Sequence, residues 1–327
     1  MKRLTYLVIS ISAIAVVFAA TVYVAWIPSP KEPPYELVAK WGAKGVDPGQ
    51  FNEPTGIAVT DDKVFVSDSR NRRIQVFDHN GQFIRQFGNP RNKQSGEESA
   101  ILERPMNLSI ANQQLYVADY FSDTIKIYTL GGEFVRAVGQ GGDGPAQFNA
   151  PGGVAVSGNG NIYVADFVNQ RIQQLDNNGQ FIRQWGNTKT VGVWSGEFNY
   201  PTDVAVNNKG YLYVADGYND RIQVFSPQGN YVHKWGGPFG MNIFGSFNGW
   251  FATVTGIAID PQGHVFVADF YNDRIQKFTE DGEFLTAFGI PGNSPTHTAI
   301  AVDVSSNGSV FVADYANHQI QKWRPGE

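Results

Sequence analysis

Val64-Phe65-Val66-Ser67-Asp68, with Arg73-Ile74-Gln75-Val76-Phe77 starting five residues after the Asp, is the stretch on which the fold turns. The first piece is an alternating apolar run closed by a carboxylate, and the second is another period-2 run opened by a cation. Both read as β-strands. The pattern apolar-x-Val-(Ala/Ser)-Asp returns five more times, ending on Asp119, Asp166, Asp216, Asp269 and Asp314, at spacings of 51, 47, 50, 53 and 45 residues. A period near 50 residues marks a repeat architecture. Downstream of each of the first five runs comes a Gly turn, Asn80-Gly81, Gly131-Gly132, Asn178-Gly179, Gln228-Gly229 and Asp281-Gly282, followed by a further strand such as Gln82-Phe83-Ile84-Arg85-Gln86-Phe87. Upstream lies another, Pro54-Thr55-Gly56-Ile57-Ala58-Val59 in the first copy. Each unit therefore has four strands, and no single unit buries a core of its own.

Six four-stranded antiparallel units in one chain predict an all-β, six-bladed β-propeller. The composition agrees: of 327 residues, 42% are hydrophobic and only 17% charged, with 36 Gly and 17 Pro to make the turns. Phe-Asn-x-Pro-x-Gly-Ile-Ala-Val followed by Val-Ala-Asp-x-x-Asn-x-Arg-Ile-Gln resembles the NHL repeat over residues 35–327, which implies the same fold and leaves the activity open. The sixth unit stops after Gln319-Ile320-Gln321-Lys322-Trp323 and lacks its outer strand. Glu36-Leu37-Val38-Ala39-Lys40-Trp41 has the missing pattern, so the N-terminal strand is expected to close the last blade, burying Leu37, Ala39 and Trp41 on one face.

Ahead of the propeller, Met1-Lys2-Arg3 precedes a run from Leu4 to Ile27 with no charged side chain. As a helix, its 24 residues would measure roughly 36 Å, enough to cross roughly 30 Å of hydrocarbon. Residues 1–27 are therefore read as a transmembrane signal anchor, with Lys2 and Arg3 on the cytoplasmic side and the propeller outside. A cleavable signal peptide is the competing reading; its best small-x-small site, Val17-Phe18-Ala19, lies within the run. Residues 28–34, with four prolines, are expected to be a stiff polyproline II spacer that enters at the bottom rim beside blade six and turns the bottom face to the bilayer.

A net charge of -5 removes the basic field that nucleic-acid binding needs. The absence of Cys removes disulfides, thiolate metal sites and Cys nucleophiles. The recurring Asp and Arg read as structural pairs because a catalytic constellation is asymmetric. Thr124 and Gln319, where other copies have Arg, predict weaker pairing in blades two and six. Function is then sought in the irregular loops on the top face. Trp194, Phe239, Phe244, Phe247 and Trp250 there form either plugs over the blades or an exposed apolar patch for an extracytoplasmic protein or polymer partner. The favoured function is a non-catalytic binding module needing no cofactor. The alternative is a lyase or hydrolase with zinc or calcium over the channel, held by Asn107, Asp203, His297 and His318; in NHL-like lyases, which the fold resembles, convergent histidines do this work.

Overall fold

The structure, a computed structural model, describes residues 27–88, 100–289 and 299–327. Twenty-four strands among them form six antiparallel four-stranded sheets. After β1 (Glu36–Trp41), blade one is β2 (Pro54–Val59), β3 (Lys63–Asp68), β4 (Arg73–Asp78) and β5 (Phe83–Phe87). Blade two is β6 (Pro105–Ala111), β7 (Gln114–Asp119), β8 (Thr124–Thr129) and β9 (Phe134–Val138). Blade three is β10 (Pro151–Val156), β11 (Ile162–Asp166), β12 (Arg171–Leu175) and β13 (Phe181–Trp185). Blade four is β14 (Pro201–Val206), β15 (Leu212–Asp216), β16 (Arg221–Phe225) and β17 (Tyr231–Trp235). Blade five is β18 (Val254–Ile259), β19 (Val265–Asp269), β20 (Arg274–Phe278) and β21 (Phe284–Gly289). Blade six is β22 (Ala299–Val304), β23 (Val310–Asp314) and β24 (Gln319–Arg324), completed by β1, which pairs antiparallel with β24 from Glu36↔Arg324 to Trp41↔Ile320.

The core lies between blades, as the repeat requires: Phe51, Ile57 and Phe77 of blade one pack with Phe311, Ala313 and Ile320 of blade six, and each other seam repeats the arrangement. Phe51, Phe148, Phe198 and Phe251 are fully buried plugs over the blade tops. Closure by β1 is as expected, but a bulge between Leu37 and Ala39 breaks the alternation. Leu37 and Val38 are consequently exposed, and the strand's apolar contacts come from Trp41, near Phe77 and Phe311, and from Tyr35.

The six Asp residues are buried and structural. In blade one, Asp68 Oδ2 accepts from Arg73 Nε at 2.6 Å and from Gln75 Nε2 at 3.1 Å, while Asp68 Oδ1 accepts the Asn52 N–H at 2.7 Å. The Arg73 guanidinium donates onward to the carbonyls of Val46, Asp47 and Gln50, fixing the top loop above its own blade. Blade two corrects the expectation of a weak network: Lys126, in the position of Gln75, brings its ammonium to 3.1 Å from Asp119 and replaces the missing Arg. Blade six is weaker, as expected, with Asp314 bonded to the amides of Asn317 and Gln321. After each Asp the chain reaches a residue with φ near +55°, and the side chains of Arg72, Asp123, Gln170, Asp220 and His318 at this position bond to the next blade. Asp123 accepts from Ala150 N, Gln170 from Tyr200 N and Asp220 from Thr253 N.

The linker is not a free spacer. The Lys31 and Glu32 N–H groups donate to the Leu285 carbonyl at 2.7 and 3.2 Å, Lys31 pairs with Glu283, and Glu32 pairs with Lys277 at 2.6 Å. Tyr35 is buried at the seam of blades five and six, stacked on Phe288 with centroids 4.7 Å apart. At the other end, the Pro28 carbonyl accepts from Asn248 Nδ2 at 3.2 Å, and a Cβ on Gly249 would meet its ring at 3.1 Å. The linker joins β1 at the bottom of blade six, where Glu36 pairs with Arg324, as expected, but its upstream end at Pro28 lies beside the top-face loop of blade five. The segment expected to span the membrane lies, apart from Ile27, outside the described residues. No helix among the described residues is long and apolar enough to cross a membrane.

Candidate functional site

Two long loops carry the apolar residues of the top face, and one buried guanidinium joins them. Arg221 Nε pairs with Asp216 at 2.8 Å. Its terminal nitrogens then donate to the carbonyls of Val193 and Trp194 on one loop and to that of Gly240 on the other. This sets the two loops side by side over blade four. Their side chains divide into two groups. Trp250 is buried, and Phe247 is half-buried against it with rings T-shaped at 5.3 Å, so these two belong to the plug and not to a patch. Trp194, Phe239 and Phe244 are 66%, 69% and 75% exposed, joined by Val191, Val193, Met241 and Ile243.

Nearer the axis lies a second feature, absent from the sequence-based expectations. The residue after each repeat Asp is aromatic in four blades, Tyr120, Phe167, Phe270 and Tyr315, and the next is aromatic in three, Phe121, Tyr218 and Tyr271. Strand β3 and its counterparts end at the top of the channel, so these side chains form a collar at its mouth. Tyr120 and Phe167 lie 6.3 Å apart, Phe167 and Tyr200 4.9 Å, and Tyr200 and Tyr218 5.4 Å. On the side of blades one and two the collar becomes charged: Arg104 lies 5.2 Å from the Phe121 ring and 3.6 Å from Glu53, which also binds Arg70 at 2.5 Å. A depression of about 260 Å³ at the mouth is bordered by Thr55, Arg104, Tyr120, Phe167 and Thr202. The signal was present in the sequence, in positions that vary among the six units immediately after the residue that does not vary.

Below the mouth, a channel cavity of about 250 Å³ brings together Asn107 and Asp203, as the sequence reading supposed, and adds Asp303. Asp203 accepts from the Ile257 N–H at 3.1 Å and from Asn107, yet burial, reinforced by the charge of Asp303, pushes its carboxyl well above the ordinary range. Asp303 accepts from the Val59 and Val304 N–H groups at 2.7 and 2.8 Å, and burial raises it to about 6. His318 is not part of this group. Its Nδ1 accepts the Glu53 N–H at 3.2 Å, making it the blade-six version of the seam contact made by Asp123, Gln170 and Asp220, and burial lowers its pKa. His297 lies outside the described residues. Among the described residues no group of three His, Cys, Asp or Glu side chains could hold a metal ion.

The NHL repeat matches residues 51–77, 148–175, 198–225, 251–278 and 298–323. The unmatched unit is blade two, where Thr124 and Lys126 depart from the repeat. Among curated relatives, Protein brain tumor of Drosophila melanogaster is 34% identical over 154 residues, 46% of this chain and 14% of that protein. The human E3 ubiquitin-protein ligase TRIM32 is 32% identical over 141 residues, 40% of this chain and 20% of that protein. The chain thus matches only a fifth or less of the length of these relatives. Among solved structures, a streptogramin B lyase superposes with a TM-score of 0.58 at 15% identity, covering 91% of this chain and all of that one. A Bacteroides thetaiotaomicron protein of unknown function gives 0.65 at 15% identity, covering 89% and 75%. At that identity the likeness is one of fold alone. Five matched NHL repeats, set in a ring of six four-stranded blades, make the chain an NHL-repeat-containing six-bladed β-propeller.

Proposed function

We infer that the chain is a non-catalytic binding module, tethered to the cytoplasmic membrane by its N-terminal segment with the propeller on the extracytoplasmic side, and that it holds a protein partner at the top mouth. The observation that carries this reading is the aromatic collar with Arg104, Arg70 and Glu53 along one arc. Exposed rings give large contact area at low conformational cost, and a partly desolvated Arg orients a peptide carbonyl or carboxylate. The tether rests on the uncharged run from Leu4 to Ile27. Replacing Phe121, Tyr218 and Tyr271 together by Ser is expected to abolish capture of the partner by photocrosslinking in native membranes. The melting midpoint should remain near that of the parent, because all three are exposed. Capture equal to that of an Ile182→Ser control on the blade edge would refute the mouth as the site.

A metal-dependent lyase or hydrolase is the second reading, favoured by one observation, the meeting of Asp203, Asn107 and Asp303 in the channel. Elemental analysis of the purified full chain separates the two. Stoichiometric zinc or calcium that is lost in an Asp203→Asn variant would reverse their order.

A further inference from the structure

We propose that the apolar top-face loops of blades four and five, carrying Trp194, Met241, Ile243 and Phe244, lie in the headgroup layer of a phospholipid bilayer and hold the propeller tilted on the membrane. The proposal rests on the tethered reading above and reverses the orientation that the linker's composition suggested.

The linker leaves no slack between anchor and propeller. Pro28 is in contact with Asn248 and Gly249, and it directly follows the uncharged run Leu4 to Ile27. If that run crosses the bilayer, Ile27 stands at its surface, and so does the loop that touches Pro28. Phe244 is four residues from Asn248, at most about 14 Å of chain. The arm that carries it is folded back on the same place, with the Gly237 N–H donating to the Gly249 carbonyl at 3.2 Å. Arg221 then fixes the Trp194 loop against this arm through the carbonyls of Trp194 and Gly240.

The chemistry of the loops suits that place. Residues 235–251, from Trp235 to Phe251, contain no charged side chain, and neither does Thr190-Val191-Gly192-Val193-Trp194-Ser195-Gly196. Exposed Trp and Phe on uncharged loops partition into the interface, where the ring is half in hydrocarbon and half in headgroups. A contiguous exposed apolar patch is otherwise a liability for a propeller in water. The geometry of the ring keeps the mouth open, because in a six-fold ring blades four and five stand opposite blades one and two. Contact at the first pair lifts Arg70, Arg104 and Phe121 away from the lipid, and the mouth then faces along the membrane surface.

The test uses the full chain reconstituted in phosphatidylcholine and phosphatidylglycerol vesicles. Because the sequence has no Cys, single sites can be labelled with an environment-sensitive fluorophore. Labels on Phe244→Cys and Trp194→Cys are expected to be quenched by brominated acyl chains and to be several-fold less accessible to iodide than a label on Asn177→Cys, in the opposite turn. Adding Phe239→Ser and Phe244→Ser to Trp194→Cys should remove the lipid quenching while leaving the chain in the vesicles after a carbonate wash. Iodide access at 244 and 194 equal to that at 177 would overturn the proposal, as would quenching by lipid at 177. Shielding without lipid quenching that disappears as protein density is lowered would assign the patch to a second copy instead. Loss of the chain in the wash would refute the tether itself, a result that the retention assay reads separately from the labels.

Discussion

Asp303 stands where the other inner strands carry Ala58, Ser109, Ala155, Ala205 and Ala258, each paired with the aromatic residue of the next strand. The small side chains are dictated by crowding at the axis; the carboxylate is an intruder tolerated because the Val59 and Val304 N–H groups solvate it. Its pKa of about 6, raised by burial from 3.8, fixes the sign of its effect on stability. Between pH 4 and pH 6 the native state binds the proton more tightly than the unfolded chain does, so stability is greatest below that window and falls as pH rises through it. Asp303→Asn carries no charge, but its single amide oxygen can accept only one of the two N–H groups, which Oδ2 and Oδ1 of Asp303 serve separately. The lost hydrogen bond costs the same at both pH values, so the effect of the charge is read as a difference: relative to the parent, the variant should gain on the order of 1–2 kcal/mol between pH 4 and pH 7, from urea midpoints at the two pH values. A stability difference between variant and parent that is the same at pH 4 and pH 7 would mean that the Asp303 charge does not destabilise the channel. Of this group the sequence made Asn107 and Asp203 legible, because their strand position was known to face the axis. Asp303 lies two residues further along an inner strand, at a position that the comparison of units did not reach.

At the scale of elements, β21 is an outer strand that behaves as an inner one. Leu285 and Thr286 are buried, whereas the residues equivalent to Leu285, namely Ile84, Val135, Ile182 and Val232, are all exposed. The difference is the strap of residues 28–35, which covers the edge, caps it at Leu285 with two N–H groups and seats Tyr35 against Phe288. The sequence alone predicts a spacer here because proline content reports stiffness and says nothing about what a segment docks on. A signal was nevertheless there: β21 carries Thr286-Ala287 where other outer strands carry Arg85-Gln86, Arg183-Gln184 and His233-Lys234. An outer edge without its charged residues is an edge expecting cover. Leu285→Ala should therefore cost about 2 kcal/mol, while Ile182→Ala at the matching exposed site stays within about 0.5 kcal/mol. Equal costs, measured by chemical denaturation of the full chain in detergent, would show that the strap is not seated in solution.

For the whole molecule, the fold was legible because six units make the same statement, and an error in one is corrected by the other five. The aromatic mouth and the pairing of the two apolar loops through Arg221 were not, because each depends on which loops the ring places side by side. Closure is the property that belongs to the ring and to no single blade. Its covalent ends meet in blade six, where β1 pairs with β24 and Trp41 reaches Phe77 of blade one and Phe311 of blade six. The bulge at Leu37 leaves the strand with little other apolar burial, so its contribution comes from the ladder and from Trp41. A chain beginning at Glu36 loses the strap but keeps the ring; one beginning at Lys44 loses both and exposes the edge of β24 together with the blade-one seam. The first should melt in a single cooperative transition at a lowered midpoint. The second should lose cooperativity, with a calorimetric enthalpy exceeding the van't Hoff value as the blades near the break unfold ahead of the rest. A synthetic peptide of residues 34–43 should restore the single transition in the second chain by adding the missing strand in trans. Cooperative melting of the chain beginning at Lys44 without peptide would show that five complete blades and a three-stranded sixth close the ring unaided.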